Sequence, residues 1–314
     1  MKTILRILIL TITLTIITTS CKTEVTTDVS INQPNKELIR HTVASDGHPI
    51  AVWEKGIKEA KGIILFVHGR TWSAVPDFDL QVEGEDLSLM DGMIAKGYTT
   101  YAVDLRGYGK TPRDSTEWST PNVAAKDILN VLHWISKQHQ NKKVHLFGWS
   151  MGSTLSLLAT QQNSEDIASL TLFGFWKDMD VQFPENPKNP ELRKTVNTAK
   201  SAASDFIVPG SISKKAVDTY VKMALESDPI KVDWKNTHEY NSLDPVLIST
   251  PTLILQGEFD PIGPTAIQAK LFTRLKTADK SWVVISGGDH AAFMETPRNH
   301  FISSFEAFIN RFNE

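Results

Sequence analysis

The stretch Gly148-Trp149-Ser150-Met151-Gly152 constrains this chain more than any other. It directly follows the apolar run Val144-His145-Leu146-Phe147 and directly precedes the helical run Ser153–Ala159. A serine set between strand and helix, with glycine two positions away on each side, implies a sharp turn that holds its Oγ at the end of a sheet. The absent Cβ atoms let strand and helix pass closely, while the serine takes a strained backbone conformation. The free N–H groups of the following helix then point at any anion formed there. The plainer reading of the same residues is a glycine-rich loop between strand and helix.

Around this turn, strands and helices alternate. Gly62–Val67, Thr99–Leu105, Lys143–Phe147, Ala168–Phe173, Pro251–Gln256 and Ser281–Ile285 read as strands, most of them continuously apolar, as expected for a sheet covered on both faces. Helices are expected at Asp86–Lys96, from Pro121 after the cap Thr120, at Ser153–Gln161, at Pro264–Leu275 and at Pro297–Phe312. This order predicts a mostly parallel α/β sheet flanked by helices. Glu37–Val43 and Ile50–Lys55, separated by Ser45-Asp46-Gly47, read as an edge hairpin.

The alternation breaks at Phe175 and resumes near Asp244. Pro184, Pro187 and Pro190 interrupt the start of this segment, and helices are expected near Pro190–Asp205 and Ser213–Ser227. The insertion is too long for a plain connection, so residues 175–244 read as a helical cap on a core formed by residues 37–174 and 245–314. Asp77, Asp79, Glu83, Glu85 and Asp86 lie in a loop that reads as solvated and lacks the spacing of a calcium site.

Residues 1–20 read as an export signal rather than as fold. Lys2 and Arg6 precede an apolar run from Ile7 to Ile17, which is short for a membrane span. Cys21 is the single cysteine, so no disulfide forms within the chain. The segment resembles a bacterial lipoprotein signal, which implies lipidation of Cys21, a membrane anchor and a flexible tether over residues 21–36. Ordinary secretion is the alternative. A net charge of -3 gives no electrostatic case for nucleic acid binding.

A serine hydroxyl is a poor nucleophile near neutral pH and requires a base, an acid to orient that base, and donors for the oxyanion. His290, in Gly287-Gly288-Asp289-His290 after the last strand, is the base candidate for Ser150. Asp260, in Gly257-Glu258-Phe259-Asp260-Pro261 after the preceding strand, is the orienting acid, with Asp178 as the competing choice. The backbone N–H groups of Met151 and Arg70 are the oxyanion donors, Gly69 permitting the tight turn before Arg70. Trp72, Trp149 and Trp176 lie close to these elements and are candidates to line a substrate pocket or to fill the core. No metal or cofactor is called for.

Strand-His68-Gly69, Asp104-Leu105-Arg106-Gly107-Tyr108-Gly109, the serine turn, Asp260 and His290 together resemble the α/β-hydrolase superfamily, including its order Ser, Asp, His. The resemblance implies an eight-stranded, mostly parallel sheet with a cap inserted after the sixth strand. It also implies a serine esterase acting on a small carboxylic ester through an acyl-enzyme. C–C bond, lactone or peptide hydrolysis and acyl transfer use the same three side chains and stay open. So does a tethered binding protein that retained the fold without turnover.

Overall fold

The computed structural model describes residues 35–313. The expected leader, Cys21 and most of the expected tether lie outside the described residues. Among the described residues ten strands form, β1 (Asn35–Ser45), β2 (His48–Gly56), β3 (Gly62–Val67), β4 (Tyr98–Val103), β5 (Trp118–Ser119), β6 (Val144–Trp149), β7 (Ile167–Phe173), β8 (Asp233–Trp234), β9 (Thr252–Gly257) and β10 (Lys280–Ile285). Eight of them make one sheet in the order β1-β2-β4-β3-β6-β7-β9-β10, while β5 and β8 pair apart from it. The β1–β2 and β2–β4 pairs are antiparallel, and every pair from β4 to β10 is parallel. This is the α/β-hydrolase fold.

Strand periodicity distributes the core. Ile63, Leu65, Val67, Val144 and Leu146 face one layer, where helix α3 (Pro121–Gln138) and helix α4 (Met151–Gln162) add Ile128, Leu132, Leu155 and Leu158. Ile64, Phe66, Phe147 and Trp149 face the other. There α1 (Ala74–Phe78), α2 (Leu89–Ala95) and α8 (Arg298–Ile309) contribute Phe78, Met90, Met93, Phe301 and Phe305. The Phe147 ring lies 5.3 Å from both Phe66 and Phe305. Helix α3 begins as expected, with Thr120 Oγ1 accepting from Val123 N and Pro121 at the first position.

Between β7 and β9 the chain leaves the sheet. Helix α6 (Lys214–Ser227) forms within this insertion, burying Ala216, Tyr220 and Ala224. The helix expected over Pro190–Asp205 does not form as read. The α-helical part is α5 (Ala199–Ala202), followed by a single 3-10 turn at Ala203–Asp205. The preceding backbone is engaged elsewhere: the Arg193 and Lys194 N–H groups donate to the Asp233 carboxylate, Val196 bridges Ile230, and the Thr195 carbonyl accepts from Lys231 N. Strand β9 returns the chain to the sheet, and helix α7 (Thr265–Arg274) follows it.

The acidic loop after β3 also departs from expectation. Asp77 lies in α1 and is fully buried, and Asp79 is nearly so. Asp79 Oδ1 accepts from Lys55 Nζ at 2.6 Å, and Lys55 also reaches Asp91 at 2.9 Å. Ser88 Oγ completes the cluster with a 2.7 Å bond to Asp79. No sequence periodicity announces such a pair, because its cation comes from β2 and its anion from a loop. Removing one member of a buried pair strands the other without compensation. Lys55→Met is therefore expected to destabilise the fold by about 3–5 kcal/mol, read as a lower urea midpoint, whereas Lys55→Met with Asp79→Leu recovers much of that loss.

Candidate active site

Ser150 stands between β6 and α4 at φ 54°, ψ −120°, a region non-glycine residues rarely occupy. Such a conformation costs of order 1–3 kcal/mol and persists only where surroundings enforce it. Here Ser150 N donates to the Phe173 carbonyl at 2.9 Å, and Ser153 donates to the Ser150 carbonyl through N at 3.0 Å and Oγ at 2.6 Å. The flanking glycines are obligatory. A Cβ on Gly148 would lie 2.3 Å from the Gly152 carbonyl oxygen, and one on Gly152 would lie 2.3 Å from that of Val67.

His290 and Asp260 follow β10 and β9, neighbouring parallel strands, so their loops emerge at the same sheet edge. His290 Nδ1 donates to Asp260 Oδ2 at 2.9 Å, and both side chains are almost wholly buried. Asp260 Oδ1 accepts from Ile262 N at 2.8 Å and Gly263 N at 3.2 Å. Burial pushes the Asp260 carboxyl upward, but the bond to His290 and the two backbone donors hold it below its ordinary value. Burial lowers His290, yet its bond to Asp260 and the surrounding acids raise it above 6.5 overall. With Nδ1 donating, Nε2 carries the lone pair of the neutral ring. Asp178, the competing acid, is spent on Lys270 at 2.8 Å.

The imidazole is held on several sides. Trp149 Nε1 donates to the His290 carbonyl at 2.7 Å, and the two rings lie 5.4 Å apart. Phe173 stacks at 6.4 Å. Gly174, at φ +62°, passes so close that a Cβ there would meet His290 Cε1 at 2.7 Å. Asp289, next in the chain, accepts from the Ile207 and Val208 N–H groups at 2.6 and 2.7 Å, tying this loop to the insertion.

On the opposite side, His68 is buried and neutral, burial pushing its pKa down to about 4. Its Nδ1 donates to the Gly69 carbonyl at 2.7 Å, and its Nε2 accepts from Leu105 N at 3.1 Å. The Tyr108 hydroxyl donates to the Arg70 carbonyl and accepts from Trp234 Nε1 at 2.9 Å. These bonds fix the loop carrying the Arg70 N–H. Met151 opens α4, so its N–H belongs to the first turn, which lacks intrahelical acceptors.

Ser150, Met151, His290 and Arg70 line one pocket of about 280 Å³. Trp72, Trp149 and Trp176 all line it as well. Asp77, Asp205, Trp234, Thr237 and Tyr240 also line it, and the sequence alone does not flag them. Four of these come from the insertion, whose residues carry no local motif. Asp77 is pushed well above the usual carboxylate range, chiefly by burial, and Tyr220 donates to its Oδ1 at 2.9 Å.

The His290–Asp260 pair has a direct spectroscopic signature. NMR titration of the His290 ring is expected to give a midpoint above 6.5, because burial, the largest single influence, is outweighed by the bond to Asp260 and the charges of Asp260, Asp205 and Asp289 together. In Asp260→Asn the largest raising influence disappears while burial remains, and the midpoint falls relative to the parent protein. In linkage terms, a raised folded pKa adds stability that is present below the unfolded pKa and is lost as pH climbs through the folded one.

The chain is 22% identical over 218 residues to the monoglyceride lipase of Mus musculus, an alignment covering 63% of this chain and 67% of that enzyme. It is 24% identical over 248 residues to the 2-hydroxy-6-oxo-6-(2'-aminophenyl)hexa-2,4-dienoic acid hydrolase of Metapseudomonas resinovorans, covering 70% and 76% respectively. Its fold superposes on a thermophilic esterase from Thermogutta terrifontis with a TM-score of 0.60 at 17% identity, over 88% of this chain and 100% of the esterase. The family model described as serine aminopeptidase, S33 matches residues 58–297, from the loop before β3 to the residue before α8. That span contains the serine turn, the buried His–Asp pair and the insertion between them, and the chain belongs to this family of α/β hydrolases.

Proposed function

We propose that the protein is a serine hydrolase that cleaves a carboxylic ester through an acyl-enzyme. The observation that carries this reading is the strained Ser150 opening onto the same pocket as His290, whose other nitrogen is held by buried Asp260. Ser150 Oγ attacks the acyl carbon as His290 Nε2 takes its proton. Asp260 holds the ring in that tautomer and stabilises the imidazolium. The Met151 and Arg70 N–H groups bind the oxyanion, each such donor being worth about 10²–10³ in rate. His290 then protonates the leaving alcohol, and water releases the acyl group by the reverse sequence. The monoglyceride lipase among the relatives and the esterase among the structural neighbours are consistent with an ester substrate.

Ser150→Ala is expected to remove turnover of p-nitrophenyl esters by at least about 10³-fold while circular dichroism stays unchanged, and to abolish labelling by a fluorophosphonate probe. Undiminished turnover in that variant removes the proposal. Because the base acts as neutral imidazole and the folded pKa lies above 6.5, the acid limb of kcat/KM is expected above pH 6.5. A panel including aminoacyl anilides, lactones and C–C substrates separates the ester reading from its relatives on this fold.

We also propose that the domain is exported and tethered to a membrane through a lipid on Cys21. The basic start, the apolar run to Ile17 and the cysteine that follows motivate this reading. Among the described residues no helix is long and apolar enough to cross a membrane. Mass spectrometry of the mature N-terminus is expected to find acylated Cys21. An unmodified N-terminus at any other residue rules the anchor out.

A further inference from the structure

A second concavity, of about 1010 Å³, adjoins the pocket that holds Ser150, and Arg70, Thr71 and Trp234 line both. Its character is opposite to that of the inner pocket. The inner pocket presents aromatic walls and two acids, Asp77 and Asp205. The outer cleft presents four cations, Arg70, Arg193, Lys231 and Lys235, against Glu191 and Asp233. One of those acids is already committed, since Asp233 accepts from the Arg193 and Lys194 N–H groups at 3.2 and 3.0 Å. The cations are not spent in the same way. Arg70, Arg193 and Lys231 form no ion pair among the described residues, while Lys235 lies 5.7 Å over the Trp118 ring. A chain with a net charge of -3 thus concentrates positive charge beside its strained serine.

The framework beneath these cations is built rather than loose. Strands β5 and β8 pair in parallel, with Trp118 opposite Asp233 and Ser119 opposite Trp234. Arg113 Nη2 donates to the Ile230 and Lys231 carbonyls at 3.2 and 2.9 Å, and Lys231 N donates to the Thr195 carbonyl at 2.8 Å. The segment bearing Lys231 is therefore held from both sides, and Arg193 sits on backbone fixed by Asp233. A cleft with an excess of positive charge focuses its field on an approaching anion, and the planar guanidinium fork suits bidentate contact with carboxylate or phosphate oxygens.

We propose that the outer cleft binds an oxyanion, carboxylate or phosphate, carried by the substrate itself, so that the enzyme prefers esters with an uncharged portion in the inner pocket and an anionic end outside. This rests on the hydrolase reading and names the substrate class for it. The inner pocket offers aromatic walls and buried carboxyls whose burial favours the uncharged acid, while the outer cations attract the anion, which orients the ester in one direction across Ser150. Arg193 and Lys231 are specificity residues under this proposal.

The test compares three p-nitrophenyl esters of matched length, ending in a free carboxylate, a phosphate or the neutral methyl ester of the carboxylate. At low salt the charged esters are expected to exceed the neutral one in kcat/KM by about tenfold, mainly through KM, and to lose that advantage near 1 M NaCl, where the screening length is about 3 Å. The carboxylate-to-phosphate ratio identifies which oxyanion is native. Arg193→Gln combined with Lys231→Gln is expected to bring the charged-to-neutral ratio close to one, with folding checked by thermal melting. Equal rates for charged and neutral esters at low salt overturn the cleft proposal and leave the hydrolase reading standing. If no ester is turned over, the hydrolase reading falls, and suberate and octyl phosphate titrated into Ser150→Ala decide the cleft. Saturable, salt-sensitive binding that weakens in the Arg193/Lys231 variant supports an oxyanion site, and absence of binding overturns it.

Discussion

The crossing of α4 over the end of β6 admits no Cβ at two positions. Gly148 meets the backbone of Gly152 and Ser153, and Gly152 meets the carbonyls of Val67 and His68. This contact sets the distance between the central strand, its helix and the loop after β3. It also leaves Ser150 no relaxed conformation, because the chain must reverse within one residue between two elements packed on both faces. The strain is carried by a large core. Phe147 before the turn and Leu155 in the helix after it are both fully buried, so relaxation at the serine would disturb both layers.

The same economy of space governs the histidine. Gly174 lies under the ring, Trp149 holds its carbonyl, and Asp260 holds its Nδ1. Trp149 thus has two roles at once, as a pocket wall and as an anchor for the loop that carries the imidazole. Buried acids fasten the remaining loops. Asp104 accepts from Ala74 N, Lys110 N and Trp53 Nε1, and Asp228 accepts from Ser73 N and Gly109 N. Burial raises both groups, Asp104 to about 6, while their backbone donors oppose that shift. Carboxylates are suited to this because one group satisfies several orphaned N–H donors, whose burial without partners would cost about 1–3 kcal/mol each.

The insertion is joined to the core by such bonds as well as by apolar packing, since Ala202, Ala216, Tyr220 and Ala224 share a buried cluster with Phe78 and Trp149. Asp289 receives two of its N–H groups, Asp77 receives the Tyr220 hydroxyl, and Asp228 reaches back to the loops after β3 and β4. Trp234 belongs to the insertion, yet through Tyr108 it bears on the Arg70 carbonyl. Pocket shape and oxyanion-loop geometry are therefore linked through one tyrosine.

Much of this fold was legible in the residues alone, and the reason is periodicity. A strand buried on both faces is mostly apolar, so β3, β6, β7 and β9 declared themselves, and Thr120-Pro121 announced the start of α3. The turn at Ser150 was legible because glycine spacing encodes a close crossing locally. Asp260 and His290 were legible because each follows a strand in a turn. What tertiary structure alone decided are relations between distant segments. Asp79 turns inward because Lys55 of β2 waits there, residues 190–198 stay out of a helix because Asp233 and Ile230 take their backbone groups, and Asp205, Thr237 and Tyr240 reach the pocket by packing. Local sequence carries the pattern of each element, whereas which charges meet and what closes over the serine depend on contacts that exist only once the chain has folded.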